Sequence, residues 1–154
     1  MSYITGIDIT ATGTTVDFQL GQVGQTSDGK LYKYVQYVVG AGSVAAVSGN
    51  VVGYYAASGA SAGQVDIVTA DVTDTARAGA GVLQSAPATE EYCWIQVAGS
   101  ATLTTALTAG ADGNALTLVG AGDSTLDVSG AVTDAVCATA IDASAKIVMC
   151  QFPL

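Results

Sequence analysis

The three cysteines, Cys93, Cys137 and Cys150, are the first side chains in this sequence that could act as nucleophiles, metal ligands or disulfide partners. Their number is odd, and no two of them have the Cys-x-x-Cys spacing of metal or redox sites. Each lies in an apolar, strand-like run, and none stands beside a cation that would favour the reactive thiolate. We therefore interpret them as small buried hydrophobic residues of a protein made in a reducing cytosol.

Acid–base chemistry has few candidates, because the chain contains no histidine. Histidine is the commonest general base and a common zinc ligand, and its absence excludes the catalytic triads that depend on it. Two carboxylate pairs remain, Glu90 with Glu91 and Asp71 with Asp74, and in strands both pairs would point to opposite faces. A glycosidase pair assembled from carboxylates that are distant in sequence stays open.

Metal and phosphate sites have no recognisable loop. Calcium loops alternate Asp ligands and then place a Gly, which neither residues 112–114 nor residues 122–127 do. The Gly-rich runs at 40–42 and 120–122 lack the Lys-Ser/Thr of a phosphate-binding loop. The sequence therefore predicts no catalytic, cofactor-binding or metal-binding residues, and we expect a protein that is not an enzyme.

The charge of the chain is low in amount and acidic in sign. Only 11% of the 154 residues are charged, and the net charge is −9 with four cations. Nucleic acids and anionic membrane surfaces attract clusters of Lys and Arg, so we expect neither as a partner. Soluble domains carry about 25% charged residues, and a shortfall of this size favours a surface buried against other protein. The alternative is a surface that is merely uncharged.

The first residues show no basic region followed by an apolar run, and no stretch approaches 18 uninterrupted apolar residues. We therefore expect neither a secretory signal nor a membrane span. This predicts a protein that is made in a cytosol and either stays there or leaves it inside a particle.

Nineteen glycines separate short segments that alternate apolar and polar residues and are rich in Val, Ile and Thr. This pattern is typical of strands. The clearest predicted strands are residues 16–20, 31–39, 51–55, 91–97 and 147–152. The sequence predicts a single all-β domain over residues 16–154, either a compact β-sandwich or a β-barrel. Residues 1–15, anchored only by three isoleucines, are predicted to be an extended N-terminal arm that orders on a partner.

Aromatic residues cluster in these strands. Tyr32, Tyr34 and Tyr37 share one strand, and Tyr92 and Trp94 share the outward face of another. Because Tyr and Trp often anchor interfaces, these five residues are candidates for a protein interface. The alternative is ordinary core packing.

Arg77 completes the candidate interface. It lies in a short connection predicted at residues 76–80.

Several segments also carry a family resemblance. They are residues 28–35 (DGKLYKYV), 51–56 (VVGYYA), 81–83 (GVL), 92–99 (YCWIQVAG), 108–113 (TAGADG) and 147–153 (IVMCQFP). In residue composition and in the order of these segments, over most of residues 15–153, the chain resembles the small Ala/Gly/Val/Thr-rich capsid decoration (cement) proteins of tailed bacteriophages.

The resemblance implies an all-β structural protein of the virion, often a homotrimer, that bridges major capsid subunits and stabilises the capsid. An extended terminal arm often reaches the capsid surface, which residues 1–15 would suit. No catalytic residue is implied. The alternative function is a binding module, such as a head fibre or a carbohydrate-binding domain, suggested by the Tyr92/Trp94 face.

Overall fold

The computed structural model describes residues 3–56 and 66–154. The Ala, Ser and Gly composition of residues 56–63 predicts a loop, and of this segment only Ala56 lies within the described range. Within the described residues the regular structure is ten strands and one short 3-10 turn. They are β1 (Val23–Gln25), β2 (Leu31–Tyr37), β3 (Val51–Tyr55), β4 (Ile67–Thr69), the turn Val72–Asp74, β5 (Thr75–Leu83), β6 (Tyr92–Thr102), β7 (Ala115–Thr117), β8 (Asp127–Val128), β9 (Val136–Asp142) and β10 (Ile147–Gln151).

Five strands close into a barrel. β2 pairs with β4 in parallel, and the antiparallel pairs β4–β3, β3–β5, β5–β6 and β6–β2 complete the circuit. The all-β prediction is confirmed, and a barrel rather than a sandwich is the architecture. Closure leaves these strands without free edges.

β6 is longer than the barrel needs, and its second half carries a sheet extension. Residues 98–102 pair with β10, which continues through β9 and β7 to the short edge strand β8. β1 adds to the barrel through a hairpin with β2. The turn of this hairpin contains Asp28-Gly29, in which Gly29 has a φ of +83° that glycine adopts without strain.

The core follows the predicted alternation. Cys93, Ile95 and Val97 on the inner face of β6 are fully buried. Val148 and Cys150 on β10 are also buried, with Phe152 just beyond that strand, and belong to the same apolar cluster. One continuous core therefore joins the barrel and its extension.

Two predicted elements are wrong. Residues 16–20 form no strand, and the Asp17 N–H donates to the Tyr34 hydroxyl, 3.3 Å away, instead of to a neighbouring strand. Their alternation instead places Phe18 and Leu20 against an aromatic cluster. The connection predicted at 76–80 belongs to β5, which the small residues Gly79 and Ala80 continue into the core.

Candidate functional site

An aromatic cluster covers the outer face of the β2–β6 pair. Phe18, Tyr34 and Trp94 have mutual ring-centroid distances of 5.1–5.3 Å. The Tyr92 ring stacks on Tyr34 at 6.1 Å. Tyr34 and Trp94 are cross-strand neighbours in the β2–β6 register, and this pairing brings the rings together.

The N-terminal segment lies over this cluster. Ile4 forms a parallel bridge with Gly24, and its N–H donates to the Val23 carbonyl at 3.1 Å. Further along, the Gly13 carbonyl accepts the Tyr92 N–H at 2.8 Å. The side chains of three isoleucines, Ile4, Ile7 and Ile9, pack against the aromatic rings. This segment thus contacts the chain's own barrel through the three isoleucines and through Gly13.

The predicted interface at Tyr32, Tyr34 and Trp94 is therefore wrong. Their exposed fractions are 3%, 4% and 0%. The alternation of β6 indicates an apolar outer face, and in the structure the N-terminal segment of the same chain covers that face.

The prediction of Tyr37 as an interface residue is also wrong, for a different reason. Its side chain is fully buried in the main core, and its hydroxyl donates to the Val44 carbonyl at 2.6 Å. Burial raises the pKa of this hydroxyl to about 12. Tyr37 thus anchors the loop after β2 from inside the barrel.

Tyr92 and Arg77 remain candidate interface residues. Tyr92 is half-buried at the rim of the aromatic cluster, and Arg77 is exposed. Arg77 lies where β5 carries extra residues relative to β3, between the pairs Gly53–Gly79 and Tyr55–Thr75. The backbone of Arg77 has a φ of +59°.

The carboxylates of the two predicted pairs differ in their hydrogen bonds. Asp71 and Asp74 lie around the 3-10 turn rather than in a strand, and both hold backbone groups of the loop at 40–42. Glu91 accepts the Ala88 N–H at 2.8 Å, whereas Glu90 is exposed. Among residues 3–56 and 66–154, no group of three or more His, Cys, Asp or Glu could hold a metal ion.

Lys33 is a buried cation that sequence reasoning did not single out. It is 8% exposed, and its Nζ donates to the Tyr54 hydroxyl at 2.8 Å. An ion pair with Asp66 at 3.4 Å balances its charge. The three groups satisfy one another, which gives Lys33 a structural rather than a reactive role.

The extension presents an outer surface of uncharged strand residues, which we call the open sheet face. At its edge, Lys30 shares a concavity with Ile147, and Asp142 is the register partner of Ile147. The register aligns Ser100, Met149, Thr139 and Ala115 across four strands. The face comprises Ala98, Ser100, Thr102, Ala115, Thr139, Ile141, Ile147, Met149 and Gln151, all exposed or half-buried. No charged residue occurs between 92 and 111 or from 147 to the end of the sequence, and this was the signal that could have found the face.

No helix within the described residues is long and apolar enough to cross a membrane. In comparisons with known proteins, no family model, curated protein or solved structure matches this chain.

Proposed function

We propose that this chain is a structural virion protein that decorates a bacteriophage capsid and stabilises it by bridging major capsid subunits. The observation that carries the proposal is the open sheet face, a surface of nine uncharged strand residues on an acidic chain. The resemblance to capsid decoration proteins supports the choice of partner. We further propose that the chain is not an enzyme and that it acts by packing alone.

The open sheet face is suited to protein contact on physical grounds. A charged side chain buried in an interface loses its hydration, and that loss often cancels the attraction it gains. The nine residues of this face carry no charge, so covering them removes only small polar and apolar groups from water. Met149 and Ile141, exposed by 39% and 45%, provide its apolar contacts.

Self-association is the second part of the proposal. We infer a homotrimer on the capsid surface, because several weak contacts made together raise the effective affinity of each subunit. A subunit with few charges at its docking surface can then be retained on a lattice of repeated sites.

The experiment compares capsids with and without the chain. Capsids carrying the wild-type protein should open at a higher temperature than bare capsids. Met149→Glu should weaken capsid binding by at least about tenfold, because an unpaired carboxylate would have to be buried. The matched control is Val132→Glu, which adds the same charge at a fully exposed position outside the face.

Bare and decorated capsids of equal stability would overturn the proposal. Equal binding by Met149→Glu and wild type would remove the open sheet face as the docking surface. The alternative of a carbohydrate-binding module rested on an exposed Tyr92/Trp94 face. Because Trp94 is fully buried, that observation no longer supports it.

A further inference from the structure

We propose that Arg77 of one copy binds Glu90 of a second copy, so that identical chains associate head to tail. This inference rests on the self-association part of the proposed function and does not depend on capsid docking. It follows from which charges are already paired within the chain, from the backbone at both residues and from the net charge.

Three of the four cations have partners in their own chain. Lys30 lies 3.8 Å from Asp28, and Lys33 pairs with Asp66. Lys146 donates to the Thr104 carbonyl at 2.9 Å. The guanidinium of Arg77 makes no hydrogen bond or ion pair with any of the described residues.

Glu90 is the carboxylate that we assign to Arg77. It is exposed, and its carboxylate accepts no hydrogen bond and forms no ion pair within residues 3–56 and 66–154. The exposed Asp17 carboxylate is unpaired in the same range, but Asp17 does not share the left-handed backbone of Glu90. Its backbone, in contrast, is fixed: the N–H donates to the Tyr37 carbonyl at 2.7 Å, and the carbonyl accepts from Gln36. The position of Glu90 is therefore set while its charge stays available.

Both residues occupy the left-handed backbone region, with φ of +59° at Arg77 and +68° at Glu90. Glycine or asparagine fits this region at lower energetic cost than a long charged side chain. The backbone alone therefore does not explain an arginine at one position and a glutamate at the other. Ser43, Ser124 and Lys146 share this backbone region. What sets Arg77 and Glu90 apart is an exposed charge without a partner among the described residues.

The net charge of −9 makes identical copies repel one another. A contact between copies is favoured where an unpaired cation meets a carboxylate, and Arg77 has no partner among the residues that the structure describes. Its planar guanidinium can donate two parallel hydrogen bonds to one carboxylate. Since the two residues are different surface positions, the contact is heterologous and closes into a ring if the rotation permits.

The test measures self-association of the full chain by analytical ultracentrifugation over a range of concentrations. Arg77→Glu and Glu90→Arg should each weaken association by about tenfold or more, because each places like charges opposite one another. The double reversal, Arg77→Glu with Glu90→Arg, restores opposite charges and leaves the net charge unchanged. Its association should return to within a few-fold of wild type.

Two control variants separate the contact from general charge and folding effects. Lys30→Glu makes the same change in net charge as Arg77→Glu and should associate like wild type. Arg77→Gly removes the cation but suits the left-handed backbone, so it should weaken association while the melting temperature of the chain holds or rises.

A wild-type chain that stays monomeric at every concentration would overturn the inference. So would an Arg77→Glu variant that associates like wild type, or a double reversal no tighter than the single variants. Chains that associate through this pair but leave capsid stability unchanged would overturn the capsid role alone.

Discussion

Ile7 fills the space that a side chain at Gly24 would occupy. A Cβ atom built on Gly24 would collide with Cδ1 of Ile7 and lie 3.3 Å from Cζ3 of Trp94. The absence of a side chain at residue 24 therefore lets the N-terminal segment approach the aromatic cluster. This contact turns an apolar outer face of the barrel into a buried one.

Gly24→Ala should displace Ile7 and destabilise the chain by about 1–3 kcal/mol, because the new methyl overfills a packed contact. Trp94 is the only tryptophan in the sequence, so its emission should shift to the red as the arm moves. Ile7→Ala alone should cost a similar amount through lost packing. The double variant should cost clearly less than the sum, because the smaller side chain makes room for the methyl.

Gly13→Ala is the matched control, since a Cβ there meets no atom within 4 Å. It should leave both the emission maximum and the free energy of unfolding near wild type. If the losses in free energy of unfolding caused by Gly24→Ala and Ile7→Ala simply added in the double variant, the two side chains would not compete for the same space.

The sequence predicts a strand and its core-facing side where the two faces of that strand carry different side chains. In β6 the alternation separates Cys93, Ile95 and Val97 from Tyr92 and Trp94, and the structure buries the first set in the core as predicted. Alternation says which face is apolar but not which segment covers it. The aromatic face was therefore identified, and its occupant was not.

Barrel closure and the role of residues 16–20 could not be predicted for a related reason. Closure depends on β2 pairing with β6, about 60 residues later in the chain, and local periodicity carries no information about such a partner. Residues 16–20 do alternate, but Phe18 and Leu20 pack on the aromatic cluster without any strand partner. The open sheet face was missed because its signal is the absence of charge.

Asp71 should make stability depend on pH in the acid range. Its Oδ1 accepts hydrogen bonds from the hydroxyl and N–H of Thr73, and its Oδ2 accepts from the Gly42 N–H. These bonds hold the pKa of Asp71 below its ordinary value of 3.8. Its contribution is complete above that ordinary value and is lost as the pH falls through the lower folded value.

Asp71→Asn should therefore lower stability at neutral pH by about 1–3 kcal/mol, because an amide nitrogen would face a backbone donor. The difference from wild type should shrink as the pH falls below 3.8 and through the lowered pKa of the folded Asp71, where the wild-type carboxylate takes up its proton. Chemical denaturation across pH measures both effects, with the exposed Asp17→Asn as control. A constant difference at every pH would show that the Asp71 charge plays no part.

Removing one partner of the Lys33–Asp66 ion pair should destabilise the chain more than removing both charges. Asp66→Asn leaves the buried Lys33 ammonium without a counter-charge and should cost about 1–3 kcal/mol. Adding Lys33→Met removes that ammonium, so the double variant should recover part of the loss. Urea denaturation of the two single variants and the double variant gives the coupling. Equal stability of Asp66→Asn and wild type would contradict this account.

The three thiols should be unreactive until the chain unfolds. Cys93, Cys137 and Cys150 are buried and free, and burial raises the pKa of each to about 12. At pH 8 the reactive thiolate is then rare, and reagents cannot reach the sulfur. A thiol reagent should label no cysteine in the native chain and all three in denaturant.

Val132→Cys, at a fully exposed position, should add one site that labels at once. Rapid native labelling of Cys137 or Cys150 would mean that the sheet extension opens independently of the barrel, because both thiols lie in that extension.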